Sequence, residues 1–382
     1  MKGVILVIYF DSAAGTKPYQ EVVEVMSDVM LNRWGNASSN NSFGDDARNI
    51  VEIVREQFAK DLNCKPEEII FTGSGCEANS LAIMGFIKNN PSYDYWTTKL
   101  EHASINELAN HISSETIYND KCGLITHKQV DDILAKKYTR PFVSMSMANS
   151  EIGVIQRDIK NIASVVHQYS GKIHCDATQL FPETRIDVKE LDIDMLSLSA
   201  QKFHGPRGVG LLYVKNGVRL SPIVYGSQEG GARGGTYNTA AIAGMGKALE
   251  ITRNNNKKTY VKTLRDVLLN KLLDIPNVHL NGPKQHEDCR LSNNISLTID
   301  DVNAERLVTL CDLHGLIIAK GSACQSHEPK PSKALLAIGL TKEQALNTIR
   351  ITLDEFNTKE EVDQAAKIIT ALVERIRMNN DY

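Results

Sequence analysis

Two segments of the chain contain residue types that can act as a nucleophile or bind an anion. In the run SLSAQKFHGPRGVG, Lys202 follows an apolar stretch and lies among small residues. Burial lowers the pKa of an amine, and a neutral amine can form a Schiff base with a carbonyl compound. In TGSGCEAN, glycines separate a predicted strand from a predicted helix, so free backbone N–H groups there could bind a phosphate. The alternatives are a surface lysine and a plain tight turn.

Two further segments place acidic, amide and imidazole groups near predicted strand ends. Asp176 ends a predicted strand in HCDATQ, and Gln179 follows three residues later. A carboxylate at such a position needs a partner, and a pyridinium nitrogen is one. His102, in LEHASINE, could stack on an aromatic ring or shuttle protons. The alternatives are an ordinary polar loop for Asp176 and a structural role for a single histidine.

A cysteine lies in the hydrophilic run KGSACQSHEPKPS, which spans residues 320–332. Cysteine is usually buried as a small hydrophobic residue, whereas Cys324 is surrounded by Gly, Ser, Lys, Pro and Glu. An accessible thiolate is a strong nucleophile. The seven cysteines form no CxxC pair, which predicts reduced thiols and no metal site.

Composition and hydropathy describe an ordinary globular protein of 382 residues, long enough for two lobes. A net charge of −3 disfavours a broad nucleic-acid surface, so no direct nucleic-acid binding is expected. No window approaches the roughly 18 apolar residues that a membrane-spanning helix needs. We therefore predict a cytoplasmic protein that does not contact a membrane.

Strands and helices alternate over the first 250 residues. Strands are predicted at 68–72, 142–147 and 208–214, and helices at 46–62 and 158–169. This alternation predicts an α/β fold around a mostly parallel sheet. After about residue 250 the pattern is typical of a smaller α+β unit, and Thr358 with Glu361 forms a capping-box pattern before the last helix.

The order of these motifs resembles that of the fold-type I enzymes that use pyridoxal 5′-phosphate (PLP). The closest resemblance is to the long-loop cysteine desulfurases of the class V aminotransferase family. It extends over YFDSAAGT, FTGSGCEAN, EHAS, NSEIGVIQ, HCDATQ, SLSAQKFHGPRGVG, GSQEGGARGGTYN, GSAC and NTIRITL. The resemblance implies an aspartate-aminotransferase-like fold: a large domain at 12–252 with a seven-stranded, mostly parallel sheet, and a small domain at 1–11 and 253–382 with the cysteine loop at about 320–333.

The resemblance also implies a role for each site residue. Lys202 carries PLP as a Schiff base, Asp176 pairs with the pyridinium nitrogen, and Gln179 hydrogen-bonds the ring hydroxyl. His102 stacks over the ring and is one of the catalytic residues. The implied phosphate ligands are Gly75, Cys76, Ser199, Gln201 and Thr236. The implied substrate-binding residues are Arg350, Asn149 and Ser150.

In this family the cysteine in the position of Cys324 takes the sulfur of L-cysteine as a persulfide and passes it to an acceptor protein. Family members supply iron–sulfur assembly, tRNA thiolation or DNA phosphorothioation. The resemblance further implies a homodimer in which Thr236 reaches the active site of the other subunit.

Four departures from the family pattern favour a specialised member, with a slight preference for a dedicated thiolation pathway. One is Asn40-Asn41, which replaces part of the family's SSIH segment. Cys76 stands where threonine is usual, Ser150 where the motif has a second asparagine, and Gln201 where the residue before the lysine is usually histidine. Two alternatives stay open: another class V PLP enzyme that does not use Cys324, and a degenerate PLP protein that acts as a docking partner. A nucleotide-binding oxidoreductase is disfavoured because the chain has no suitable GxGxxG motif.

Overall fold

The computed structural model describes residues 7–137, 139–255, 257–321 and 331–378. The strands are β1 (Ile8–Tyr9), β2 (Ile69–Thr72), β3 (Asp94–Thr98), β4 (Ser114–Ile117), β5 (Pro141–Ser146), β6 (Lys172–Asp176), β7 (Met195–Ser199), β8 (Gly210–Val214), β9 (Val278–Leu280), β10 (Asn294–Ile299), β11 (Leu316–Ile317), β12 (Ala319–Lys320) and β13 (Thr348–Thr352). The helices are α1 (Gln20–Asn32), α2 (Ser42–Leu62), α3 (Gly75–Asn89), α4 (Ala103–His111), α5 (His127–Leu134), α6 (Ile159–Gln168), α7 (Thr239–Asn254), α8 (Lys258–Leu273), α9 (Ala304–Leu313), α10 (Lys333–Ala337), α11 (Lys342–Leu346) and α12 (Lys359–Met378).

The central sheet has seven strands in the order β2-β8-β7-β6-β5-β3-β4. Strands β7, β6, β5, β3 and β4 pair in parallel, and β8 runs antiparallel to both of its neighbours. Every residue of β5 is buried, which is typical of a strand covered by helices on both faces. The predicted seven-stranded, mostly parallel sheet is confirmed.

A second sheet, of four antiparallel strands, has the order β12-β13-β10-β9, and β1 pairs in parallel with β11. The apolar core of this second sheet is separate from that of the central sheet. It includes Ile8 and Phe10 beside residues of α8, α9 and α12. A chain segment at the N-terminus thus packs with the C-terminal part. The domain bounds at 12–252 stay a prediction, which the two separate cores favour.

Elements with a strong local signal lie close to their predicted positions. The helix predicted at 158–169 spans Ile159–Gln168, and the strand predicted at 142–147 spans Pro141–Ser146. The predicted capping box is also present. The backbone N–H of Thr358 donates to the Glu361 carboxylate at 3.0 Å, and the N–H of Glu361 donates to the Thr358 hydroxyl at 3.2 Å. These features form from neighbouring residues, so their signals are local.

Two features are absent from the described part of the chain. No helix there is long and apolar enough to cross a bilayer. Nor do three or more His, Cys, Asp or Glu side chains come together there in a group that could hold a metal ion.

Candidate active site

A cavity of about 340 Å³ opens where three neighbouring strands of the central sheet end. The last residues of β5, β6 and β7, which are Ser146, Asp176 and Ser199, all line it. Ligands of open α/β sheets bind at this edge, outside the carboxyl ends of the strands. The cavity brings together most of the residues predicted from the sequence: Gly75, Cys76, His102, Asn149, Ser150, Asp176, Gln179, Ser199, Gln201, Lys202 and Arg350.

Two predicted residues are not among those that line the cavity. Thr236 is exposed and precedes α7. An exposed position is compatible with a contact to another subunit, and that contact stays a prediction. Cys324 lies outside the described residues, so its predicted role is also untested by the geometry.

Lys202 follows the end of β7 by three residues, and its amine faces two backbone carbonyls. The Nζ donates to the oxygens of Ala13 at 2.6 Å and Ala14 at 2.9 Å. Burial lowers the pKa of the Lys202 amine to about 8, and the positive charge of Arg350 acts in the same direction. A substantial fraction of the amine is therefore neutral near physiological pH, as a nucleophile or a general base requires.

Asp176 is buried and held by hydrogen bonds to both carboxylate oxygens. Its Oδ2 accepts from Nδ2 of Asn79 at 2.8 Å, and its Oδ1 accepts from the backbone N–H of Thr178 at 2.9 Å. Near it, the amide Nε2 of Gln179 donates to the Ala13 oxygen at 3.3 Å. A carboxylate fixed in this way at the cavity wall can bind a cationic ring nitrogen.

The N-terminus of α3 supplies the anion-binding part of the cavity. Ser74 caps this helix by accepting from the backbone N–H of Glu77 at 3.1 Å, and Gly75 and Cys76 form its first turn. Gly75 allows a close approach, because a Cβ at this position would lie 3.0 Å from the Cβ of Ser199. The N–H groups of a first turn and the helix dipole suit a phosphate.

His102 caps α4 and interacts with Cys76 across the cavity. Its Nδ1 accepts from the backbone N–H of Ser104 at 3.1 Å. A hydrogen bond between His102 and Cys76 raises the pKa of the imidazole and lowers the pKa of the thiol. The imidazole is open to the cavity, where it could stack on a bound ring.

Arg350 of β13 lines the cavity and is almost fully buried. Its Nη2 forms an ion pair with Oδ1 of Asp11 at 2.6 Å. The Nε is buried and has no hydrogen-bond partner among the described residues. A guanidinium that lines a cavity suits a carboxylate, because its N–H groups can donate charge-assisted hydrogen bonds to the carboxylate oxygens.

Asn149 lines the cavity but uses its side chain to hold the turn after β5. Its Nδ2 donates to the Leu100 oxygen at 2.6 Å, and its Oδ1 accepts from the backbone N–H groups of Glu151 and Ile152. This geometry favours a structural role in shaping the wall. The predicted contacts of Asn149 and Ser150 with the substrate stay predictions.

Sequence reasoning left several residues of the site without a role: Asp11, Asn79, Glu101, Ser146 and Glu151. Four of them lie inside the motifs that carry the family resemblance, which is the signal that could have identified them. Ser146 has no such signal, because it lies in an apolar run and its neighbours in space come from other strands.

The residues of this cavity fit PLP in each of its parts. A helix N-terminus suits the phosphate, Asp176 suits the ring nitrogen, Lys202 suits the aldehyde, and the guanidinium of Arg350 suits the carboxylate of an amino acid. The fold and the site together define a PLP-dependent enzyme of fold type I.

The chain belongs to the class V aminotransferase family, which it matches over residues 8–365. It is 35% identical over 381 residues to the cysteine desulfurase IscS of Clostridium botulinum, with 97% of this chain and 95% of that protein covered. A solved NifS-like protein from Rickettsia africae superposes with a TM-score of 0.87 at 31% identity, covering 96% of this chain and 99% of that one. The solved structure of SspA in complex with cysteine superposes with a TM-score of 0.77 at 29% identity, covering 92% of this chain and 100% of that one.

Proposed function

We propose that this protein is a PLP-dependent cysteine desulfurase that converts L-cysteine to L-alanine and holds the sulfur on Cys324. The observation that carries the proposal is the convergence of Lys202, Asp176 and Arg350 on one cavity. This set suits an α-amino acid bound beside PLP. The near full-length similarity to proteins named cysteine desulfurase, and to a structure described as a complex with cysteine, supports cysteine as that amino acid.

Bound PLP would supply an electron sink for the carbon atoms of the substrate. The side chains supply the rest of the chemistry. The guanidinium of Arg350 binds the substrate carboxylate and thereby orients the Cα–H bond. The Lys202 amine, with its lowered pKa, accepts the Cα proton. Asp176, held by Asn79 and the N–H of Thr178, keeps the ring nitrogen protonated.

The sulfur step uses the thiolate of Cys324 as the nucleophile. Its sulfur attacks the substrate sulfur, an S–S bond forms, and the Cβ–S bond breaks with its electron pair left on carbon. That carbon takes a proton and becomes the methyl group of alanine. The sulfur atoms are oxidised to a persulfide while the substrate carbon is reduced, so no external oxidant is needed. An acceptor protein then takes the terminal sulfur.

The proposal includes a homodimer in which Thr236 reaches the partner's cavity. A group of exposed apolar side chains on and after α1 supports a subunit contact, since such clusters mark interaction surfaces. Leu31 is 75% exposed and Trp34 is 69% exposed, and Trp34 packs against exposed Phe43 with ring centroids 5.3 Å apart. A cytoplasmic location is also proposed, because the cysteines in the described part of the chain are free thiols.

Mass spectrometry of the PLP-loaded protein after feeding with L-cysteine tests the proposal. We expect one added sulfur atom on the peptide that contains Cys324, together with alanine in solution. C324A should bind PLP yet release no alanine above background, and C289A, which changes a partly exposed thiol elsewhere, should behave as the wild type.

Two outcomes would replace the proposal. If C324A forms alanine and sulfide at the wild-type rate, the protein is a class V lyase that does not use this thiol. If the purified protein binds no added PLP, it is a degenerate relative with a docking role. Capture of the protein that removes sulfur from Cys324 would identify the acceptor. The acceptor would in turn indicate the pathway, which is iron–sulfur assembly, tRNA thiolation or DNA phosphorothioation. The preference for a thiolation pathway is part of the proposal.

A further inference from the structure

Glu101 is a second buried carboxylate at the cofactor cavity, and the mechanism above does not use it. It lies between β3 and α4, immediately before His102, and is 5% exposed. It lines the cavity that contains Asp176. Its Oε1 accepts from the hydroxyl of Thr98 at 2.6 Å, and its Oε2 accepts from the hydroxyl of Ser146 at 2.6 Å. Both carboxylate oxygens are thus fixed.

The position of Ser146 connects Glu101 to Asp176. Ser146 ends β5 and Asp176 ends β6, and the two residues are direct partners in the parallel pairing of these strands. The residue whose hydroxyl donates to Glu101 is therefore the direct neighbour of Asp176 on the adjacent strand. Like charges this close disfavour each other's ionisation.

Among the described residues, the groups with the largest effects on the pKa of Glu101 include no cation. Asp176 and Cys175 interact with it from β6, and Tyr95 interacts with it from β3. Burial raises the pKa of the Cys175 thiol and of the Tyr95 hydroxyl, so both stay neutral at physiological pH. His102, the next residue, directs its ring to Ser104 and Cys76. Burial, with a smaller effect from the Asp176 charge, raises the pKa of Glu101 to about 7.

We propose that Glu101, held by the hydroxyls of Thr98 and Ser146, is a positioning residue that acts on the cofactor through Asp176. As a neutral acid it leaves Asp176 as the single anion at this part of the cavity wall. When ionised it adds a second negative charge, which favours the protonated form of the bound cofactor. The inference rests on the proposed role of Asp176 as the partner of the pyridinium nitrogen.

The visible absorption of the PLP-loaded protein, titrated between about pH 5.5 and 8.5, tests this role. E101Q keeps the size of the side chain and one acceptor oxygen but cannot ionise. We expect the midpoint of the absorption change to fall by at least about 0.5 pH unit in E101Q. The reason is that the proton on the bound cofactor loses the attraction of the ionised Glu101 carboxylate. E183Q is the matched control. Glu183 is also buried with a raised pKa, but its oxygen accepts from Ser292 outside the cofactor cavity.

A second variant keeps the test decisive if E101Q does not fold. S146A removes one donor that stabilises the ionised form of Glu101, so the midpoint should move in the same direction by a smaller amount. A purely structural role would lower thermal stability or cofactor occupancy and leave the midpoint unchanged. Midpoints of E101Q and S146A within about 0.2 unit of the wild type would overturn the proposal. A wild-type protein without a visible cofactor band would instead contradict the proposed function.

Discussion

The ion pair between Asp11 and Arg350 is the contact whose removal makes the most specific prediction. The pair joins β13 to the segment after β1, with Arg350 4% exposed and Asp11 17% exposed. Two unit charges about 4 Å apart attract by about 4 kcal/mol at an effective dielectric constant of about 20, and desolvation offsets much of this. In D11N the asparagine still presents an oxygen to Nη2. We therefore expect the free energy of unfolding to fall by about 1–2 kcal/mol.

The same substitution should increase the thermal stabilisation that a ligand with a carboxylate gives to the protein. In the proposed site, Asp11 and the substrate carboxylate would both interact with the guanidinium of Arg350, whereas in D11N that guanidinium carries an uncompensated charge. Thermal denaturation of the PLP-loaded protein, with and without L-alanine, measures both effects. D11N should melt about 1–3 °C lower without ligand and gain about twice the wild-type stabilisation with it.

A matched variant separates this effect from the general cost of losing a surface charge. D46N breaks the ion pair of Asp46 with Arg33, in which both side chains are about 40% exposed. Such exposed pairs contribute about 0–1 kcal/mol. The reasoning would be refuted if D11N were no less stable than D46N, or if L-alanine stabilised D11N no more than the wild type.

Three further predictions follow from individual side chains. C76T should bind PLP about three- to tenfold more tightly by equilibrium dialysis, because a hydroxyl is a better phosphate donor than a thiol; an affinity equal to that of the control C122S would contradict this. The rate at which the PLP-free protein takes up PLP should rise about 15-fold between pH 6.5 and 8, since the pKa of Lys202 is lowered to about 8 and only the neutral amine reacts; a flat stopped-flow profile would disprove it. Burial lowers the pKa of His174 to about 4, below its unfolded value, so stability is present above about pH 6.5 and is lost, by up to about 3 kcal/mol, as the pH falls toward 4. Urea denaturation at several pH values should show that the free energy of unfolding falls less steeply with falling pH in H174Q than in H279Q, which changes an exposed histidine. Equal pH slopes in the two variants would contradict the predicted role of His174.

The sequence alone determined the features that depend on neighbouring residues. Alternating apolar runs and helical spacing placed β5 and α6 within one residue of their observed bounds. The glycine run before α3 predicted a turn with free N–H groups, and Gly75 does lie in the first turn of that helix. Both rest on local backbone geometry, which a short segment encodes by itself.

Most of the predicted site residues line one cavity because they follow strands of one sheet, and their roles stay predictions. Parallel strands end at the same edge, so polar residues just after separate strands meet there whatever their distance along the chain. The roles assigned to Lys202 and Asp176 rest on this rule together with the family resemblance. The side-chain partners of Asn149 did not follow from it, because they depend on the turn conformation rather than on the strand end.

Only the tertiary structure decided which charged groups face each other. Asp11 and Arg350 are 339 positions apart in the chain, and their contact depends on the pairing of the N-terminal segment with β13. Glu101 meets Ser146 because β3 lies beside β5 in the sheet order, which no local pattern specifies. The physical reason is that hydrogen bonds and ion pairs act over a few ångströms in space, whereas a sequence pattern reports only what is near along the chain.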